Sequence, residues 1–283
     1  MHLADLNADG KAMSKSQLCR ILEIPRSTAY YKPRSKRRND EVDEKLCELI
    51  IELAKLNPTY GIRRIWALLR HQHGLVVNKK KVARIMRIKR ITMKKKSTGS
   101  RPRVIRSRSV APEPDMRWST DVALVHCGHK DGWCSFVPVL DCCTREVLGW
   151  ELQDNGRAKT AERALEKALI YRYGRLKSTN GILLRHDNGL VFNSRLYRST
   201  ANLFGFRQEF ITPYTPEENG LVERFIRSFK EECIWQFRFN SLEEARVIIG
   251  IWIDKYNTSR PHQALKYMTP VQFMSSFVNK ISV

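Results

Sequence analysis

A chain of 283 residues with 42% apolar side chains has room for a folded core and one or two smaller modules. Its 51 Lys and Arg against 29 Asp and Glu leave a net charge of +22, which excludes an acidic surface and points to a polyanion as partner. The excess is uneven: residues 1–110 carry 28 basic and 9 acidic side chains, net +19, while the remainder carries 23 and 20, net +3. The front therefore reads as the part that grips nucleic acid, and the back as a nearly neutral catalytic body.

The first periodic segment, around Leu18, Ile21 and Leu22, breaks at Glu23-Ile24-Pro25 and resumes at Ser27-Thr28-Ala29. That is the outline of a helix-turn-helix, with Ser27 or Thr28 able to cap the second helix. A charged link from Lys32 to Asn39 comes next. Three helices then appear: about Val42 to Leu56, with Leu46, Leu49, Ile50 and Leu53 on one face; from Gly61 to His73, carrying Ile62, Ile65, Trp66 and Leu69; and one capped by Asn78. The third bears Lys79, Lys80, Lys81 and Arg84, the composition of a recognition helix that meets phosphates and guanine edges. From Ile91 to Pro114 the sequence is rich in Lys, Arg, Ser and Pro, a linker able to track a DNA backbone by charge.

Beyond it, strands are expected at 117–125, 133–140 and 145–152, with Lys130-Asp131-Gly132 as a hairpin turn. A helix from Thr160 to Tyr173, a strand at 182–187, a helix near 194–204, a strand at 206–211, a helix carrying Glu223 and another from Leu242 to Tyr256 complete the order. This is the order of an α/β, ribonuclease H-like fold: a mixed five-stranded sheet flanked by helices. The expected domains are a helix-turn-helix-like segment at 1–40, a helical DNA-binding domain at 41–92, a basic linker at 93–114, a catalytic core at 115–275 and a tail at 276–283.

No stretch approaches the ~20 apolar residues of a membrane span. Val247 to Ile253 is closed by Arg246 and Asp254, and Met1-His2-Leu3-Ala4-Asp5 lacks the start of a signal peptide. Seven cysteines, odd in number and irregularly spaced, point to free thiols in a reducing cytoplasm.

Three carboxylates carry the chemistry. Asp121 lies in the first strand, Asp187 ends an apolar run and is followed by Asn188-Gly189, and Glu223 opens a helix after Thr215-Pro216-Glu217-Glu218-Asn219-Gly220. Between Asp187 and Glu223 lie 35 residues, and Lys230 follows Glu223 by two helical turns. Hard oxygen ligands on two strand ends and a packed helix suit two Mg²⁺ ions ~4 Å apart that clamp the attacking and leaving oxygens of a phosphoryl transfer. On the Glu223 helix, Leu221, Val222, Phe225, Ile226 and Phe229 form the buried stripe. Glu223, Arg227 and Lys230 lie off it, so the two cations stand ready for DNA phosphates, or Arg227 for an ion pair with Glu223.

Trp118-x-x-Asp121, Asp187-Asn188-Gly189, Pro216-x-x-Asn219-Gly220-x-x-Glu223 and Lys230 resemble the DD(35)E signature of retroviral integrases and bacterial insertion-sequence transposases. Tyr60-Gly61-Ile62-Arg63-Arg64-Ile65, Asn78-Lys79-Lys80-Lys81-Val82-x-Arg84-Ile85-Met86, Tyr256-Asn257-x-x-Arg260-Pro261-His262-x-Ala264-Leu265 and Thr269-Pro270-x-x-Phe273 are similar to the second-frame (OrfB) product of the transposase family closest to integrases. The resemblance runs from about residue 15 to 275. It implies an Mg²⁺-dependent enzyme, with Mn²⁺ able to substitute, that frees a 3′-hydroxyl at an element's end and joins it to another strand. Asp121, Asp187 and Glu223 would be both catalytic residues and metal ligands. Lys230, Arg227, Arg63, Arg64, Lys79, Lys80, Lys81 and Arg84 would meet DNA. The implied partners are the element's terminal repeats, target DNA, further copies of the chain on paired ends, and a first-frame (OrfA) protein, in a nucleoid-associated bacterial cytoplasmic setting. No heptad run precedes residue 15, and residues 1–12 match no part of the family pattern.

Other readings compete. His126, Cys127, His129, Cys134, Cys142 and Cys143 suggest zinc, but their spacing suits no paired knuckle and a buried strand end accounts for Cys142-Cys143. His262 suits either a DNA contact or a loop anchor. A non-catalytic DNA-binding regulator, or an assembly partner of a frameshifted full-length transposase, would have no reason to keep three buried carboxylates near phosphates. A hydrolytic nuclease would share the metals, yet it would not need the basic N-terminal helices.

Overall fold

The computed structural model describes residues 14–31, 44–93, 110–212 and 216–281, so residues 1–12, the charged link 32–39 and most of the 93–114 segment lie outside the described residues. The chain divides into two compact units, 1–48 and 49–283. In the first, α1 (Lys15–Ile21) and α2 (Arg26–Ala29) form the expected helical pair. Ser14 caps α1 through a capping box: its Oγ accepts from the Gln17 amide at 3.3 Å, and the Ser14 amide donates to Gln17 Oε1 at 2.9 Å. The start of α2 differs from the expectation. Its N-cap is Pro25, and Ser27 and Thr28 lie inside the helix with no side-chain cap bond.

The second unit begins within α3 (Glu44–Leu56) and continues through α4 (Ile62–His71) and α5 (Lys79–Ile88). Asn78 caps α5, its Oδ1 accepting from the Lys80 amide at 2.9 Å. Ile50, Leu53, Ile65, Leu69, Val82, Ile85 and Met86 are buried, as their spacing requires. α4 and its C-terminal end are also tied to the C-terminal third of the chain. Arg63 donates to Gln263 at 3.0 Å, Arg64 to Glu232 at 2.8 Å, and Gln72 to the Ser259 carbonyl at 3.1 Å.

The body of the second unit runs β1 (Arg117–Thr120), β2 (Ala123–His126), β3 (Trp133–Asp141), β4 (Val147–Gln153), α6 (Ala158–Tyr173), β5 (Leu183–His186), α7 (Leu190–Asn193), α8 (Arg195–Leu203), β6 (Arg207–Phe210), α9 (Gly220–Glu232), α10 (Leu242–Thr258) and α11 (Pro270–Ile281). Across the sheet the order is β4, β3, then β1 with β2, then β5 and β6. β4, β1 and β2 are antiparallel to β3, while β5 is parallel to both β1 and β6. This is the expected mixed sheet with five positions and six strand segments. The strand anticipated over 117–125 is broken at Asp121-Val122, where Asp121 Oδ1 accepts from the Val122 amide at 2.8 Å. The segment after residue 275, expected as a tail, continues α11 to Ile281.

Period-two alternation on β3 feeds two cores. Cys134, Phe136 and Leu140 join Val222, Phe225, Phe229 and Ile249 on one face, where α9 and α10 pack. Val137 and Val139 join Trp118, Leu165, Leu184 and Tyr197 on the other, with α6 and α8. Gly149 lets β4 and α6 touch: a Cβ there would lie 2.4 Å from the Ala168 nitrogen. Among the described residues no helix is long and apolar enough to cross a membrane.

Candidate active site

The parallel pairing of β1 and β5 sets the site. Trp118 lies opposite Leu184 and Ser119 opposite Arg185. Asp121 and Asp187 lie two residues past the last pair of that register, near enough that the Asp187 charge acts on Asp121. Both emerge at the C-terminal ends of their strands and both are half-buried.

Each aspartate is held by local backbone. Asp121 Oδ1 accepts from Val122, and Asp187 Oδ1 accepts from the Gly189 amide at 2.9 Å. Gly189 is required by this close approach, since a Cβ would stand 2.8 Å from Asp187 Oδ1. His186 anchors the strand end from within the core. Its Nε2 accepts from Gln208 Nε2 at 3.1 Å, which leaves the ring proton on Nδ1 to donate to the Asp187 carbonyl at 2.8 Å. Burial lowers the His186 pKa, in keeping with this neutral ring.

Glu223 comes from the first turn of α9. That helix is tied to β1 by Asn219, which is 2% exposed and donates to the Thr120 carbonyl at 3.4 Å, one residue before Asp121. Its buried stripe is the expected one: Leu221, Val222, Phe225, Ile226 and Phe229. Burial first, then the charges of Asp187 and Glu223, push the Asp121 carboxyl up to about 6, while the Val122 amide and Lys230 pull it down. The three carboxylates and Lys230 thus share one electrostatic neighbourhood. No three Asp, Glu, His or Cys side chains among the described residues already converge on one metal position. The donor set, three hard oxygen ligands repelling each other around Asp121, fits Mg²⁺ in charge and chemistry.

A buried brace lies beneath the site. Arg185, 3% exposed, forks onto Glu209 at 2.8 and 2.9 Å and donates to the Glu218 carbonyl at 2.6 Å in the 3₁₀ turn that leads into α9. Arg117 meets the same Glu209 at 2.8 Å. One guanidinium thus connects the Asp187 strand to the entrance of the Glu223 helix. Sequence reasoning missed Arg185, Glu209 and the anchoring role of His186. An arginine two residues before Asp187, on a strand otherwise apolar, was the available signal.

The other anticipated contacts are dispersed. Lys230 is half-buried near Asp121, and Arg227 pairs with Glu231 at 3.2 Å one turn along α9. Arg64 is engaged by Glu232 and lies over the Tyr60 ring. Lys79, Lys80 and Lys81 are exposed at the start of α5, with the Lys79 ammonium 4.1 Å from the Trp66 ring centre, and Arg84 is half-buried. Cys127, Cys134, Cys142 and Cys143 are buried thiols, and His126 meets Trp133 edge-on. His262 is buried against Tyr256 and beside Arg260 in the turn that precedes α11.

Over residues 111–216 and again over 204–270 the chain matches the integrase core domain family, and over 41–97 the HTH-like domain family. Transposase InsD for insertion element IS2A/D/F/H/I/K of Escherichia coli is 29% identical over 271 residues, covering 93% of this chain and 87% of that protein. The transposase InsD for insertion element IS2-9 of Escherichia coli strain K12 is equally similar, at 29% identity, 93% of this chain and 86% of its own length. Among solved structures, the simian T-cell lymphotropic virus intasome aligns with a TM-score of 0.48 and 18% identity over 80% of this chain and 74% of that one. The catalytic core of BIV integrase aligns at 0.43 and 20%, covering 59% and 99%. The HTLV-2 integrase catalytic core in complex with magnesium aligns at 0.43 and 18%, covering 57% and 97%.

Proposed function

We propose that this chain, which belongs to the insertion-element transposases with an integrase core and a helix-turn-helix region, cuts its element's ends and joins the freed 3′-hydroxyls to a second DNA at Asp121, Asp187 and Glu223. The observation that carries the reading is the meeting of Asp121 and Asp187 at matching positions on neighbouring parallel strands, with Glu223 close enough to perturb Asp121.

The three carboxylates are the ligands we assign to two Mg²⁺ ions, or Mn²⁺ in their place. Bound there, the pair supplies Lewis acidity for the departing oxygen and activates the attacking water or hydroxyl. The chain's own groups do the rest. The Val122 and Gly189 amides each occupy one oxygen of an aspartate, which orients the other. Lys230 lowers the cost of gathering negative charge at Asp121 and is placed to meet a DNA phosphate. No protein nucleophile is required, because the displacement occurs directly at phosphorus.

Recognition of the element's ends falls to the basic helices. Three lysines stand in the first turn of α5, the positive end of its dipole, where lysine charge and helix dipole would both favour a phosphate. Arg63, Arg64 and Arg84 are the further contacts we assign. Paired ends, self-association and a first-frame partner belong to the same reading.

The test is Mg²⁺-dependent joining of oligonucleotides bearing the element's own end, with wild type compared with Glu223→Gln. Joining that is lost in the variant while end binding persists supports the reading. If both bind and neither cuts, even after fusion to a first-frame partner, the chain acts as a DNA-binding regulator and the catalytic assignment fails.

A further inference from the structure

Behind the carboxylates, α9 presents a second chemical face. Leu221, Arg224, Phe225 and Ser228 lie three and four residues apart and line a cleft of about 800 Å³. Its other walls come from the start of α4, the β3–β4 turn and the loop after α10, bringing Arg63, Arg145 and Arg260 to the same space. Glu223 and Arg224 are neighbours on one helical turn, so the cleft and the carboxylates open on adjacent faces of a helix about 10 Å across.

The charges in the cleft are of two kinds. Arg260 is buried and spoken for: its guanidinium meets both oxygens of Glu232 at 2.7 and 2.8 Å, and Arg64 shares that carboxylate. Arg63 meets only the neutral amide of Gln263. Neither Arg145 nor Arg224 has a carboxylate within ion-pair distance among the described residues. Burial lowers the Arg145 pKa, and the nearby charges of Arg260 and Arg224 act in the same direction. His262, in the same wall, is held neutral by burial and by Arg260, Arg145 and Arg64, so it brings no compensating charge. Arg63, Arg145 and Arg224 are therefore gathered around one cavity, and none of the three has a carboxylate within ion-pair distance among the described residues. Arg63 and Arg224 are exposed, so their charge is open to an incoming anion.

We infer that this cleft binds the phosphodiester backbone of a single DNA strand flanking the cut, with Arg63, Arg145 and Arg224 on its phosphate oxygens. The inference rests on the DNA-joining reading of the neighbouring carboxylates. Two points favour this occupant. Guanidiniums fork onto phosphate oxygens and cannot lose their charge. A cavity of this size holds what a small-molecule pocket holds, so it admits a few nucleotides of one strand and not a duplex.

The experiment is fluorescence-anisotropy binding of labelled oligothymidylate and of a blunt duplex to the full chain, in EDTA, over a range of salt. Metal-free binding separates this site from catalysis. Each phosphate contact removed lowers the salt slope for a single strand by about 0.7. Arg145→Gln/Arg224→Gln should therefore lose about 1.4 in slope on oligothymidylate, with the blunt duplex little changed and the exposed surface variant Arg175→Gln unaffected. Arg224→Gln alone, an exposed position on α9 that folding tolerates, should lose about 0.7. An unchanged slope in both cleft variants overturns the inference and leaves the catalytic reading standing. Equal losses on duplex and single strand overturn the assigned occupant, and failure of the wild type to bind oligothymidylate overturns the site itself.

Discussion

Asp121 and Asp187 occupy the same register position on two hydrogen-bonded parallel strands, each one step past the point where its strand ends. Parallel pairing aligns the strands' C-terminal ends, so two residues 66 apart in sequence become neighbours without any local signal linking them. Glu223 adds a third carboxylate from a helix fastened to the same strand through Asn219 and Thr120.

Gathering these carboxylates has a cost that a cation removes. Asp121→Asn should stabilise the metal-free protein, by about 1 kcal/mol, because it deletes a half-buried charge repelled by Asp187 and Glu223. In Mg²⁺ the order should reverse, with wild type gaining about 2.7 kcal/mol at a hundredfold excess over Kd and the variant gaining little. Thermal melts with and without Mg²⁺ decide it. A variant less stable than wild type in EDTA would contradict the crowding.

Arg185 is expected to matter to both stability and rate. Removing it leaves Glu209 with Arg117 alone and the Glu218 carbonyl without its donor. Arg185→Met should cost about 2 kcal/mol, because Glu209 is 30% exposed and keeps Arg117 while hydrogen bonds to a charged group are lost. Urea unfolding measures that loss. Joining measured well below the melting temperature should still fall, since the Glu223 helix has lost its link to the Asp187 strand. Normal joining in a folded variant would reduce Arg185 to a purely structural role.

Gly189→Ala separates carboxylate position from fold. Gly189 has an ordinary φ of −61°, so the backbone accepts alanine, but the new methyl would crowd Asp187 Oδ1 at 2.8 Å. The Mg²⁺ concentration for half-maximal joining should rise about tenfold or more, the scale for disturbing a group that orients a metal ligand. The melting temperature in EDTA should hardly move. A large loss of stability with unchanged Mg²⁺ dependence would place the strain elsewhere.

Glu232 should control acid stability. Burial alone would raise its pKa, but hydrogen bonds and charge from Arg260, with the charge of Arg64, outweigh burial and hold it below the ordinary 4.5. A carboxylate lowered on folding contributes stability that is complete above its unfolded value and is lost as pH falls through its folded value. Denaturant midpoints should therefore hold steady down to about pH 4.5 in this respect and decline below it. Glu232→Gln should cost about 3–5 kcal/mol at neutral pH, because it strands Arg260 in the interior, and should flatten the acid decline. An acid limb as steep as wild type's would show that other carboxylates govern it.

The sequence by itself determined the local elements and the kinds of chemistry present. Apolar spacing on α9 set its buried stripe and so which residues lie off it, Asn78 fixed the start of α5, and the surplus of Lys and Arg named the partner's charge. Such features depend on residues within a turn or two of one another. Capping was less legible at α2, where Pro25 took the position that Ser27 or Thr28 seemed suited to fill. The break at Asp121-Val122 also escaped notice, because an apolar-polar pattern does not reveal that one carboxylate will bond the next amide instead of the ladder. Only the tertiary structure decided which charged side chains would meet. Arg64 finds Glu232 across 168 positions, and Arg63 finds Gln263 across 200. Arg185 selects Glu209 and the Glu218 carbonyl through strand pairing and the path of a loop. Hydrogen bonds and ion pairs act over a few ångströms and carry no sequence period, so their partners exist only once β-register and helix packing have brought distant segments together.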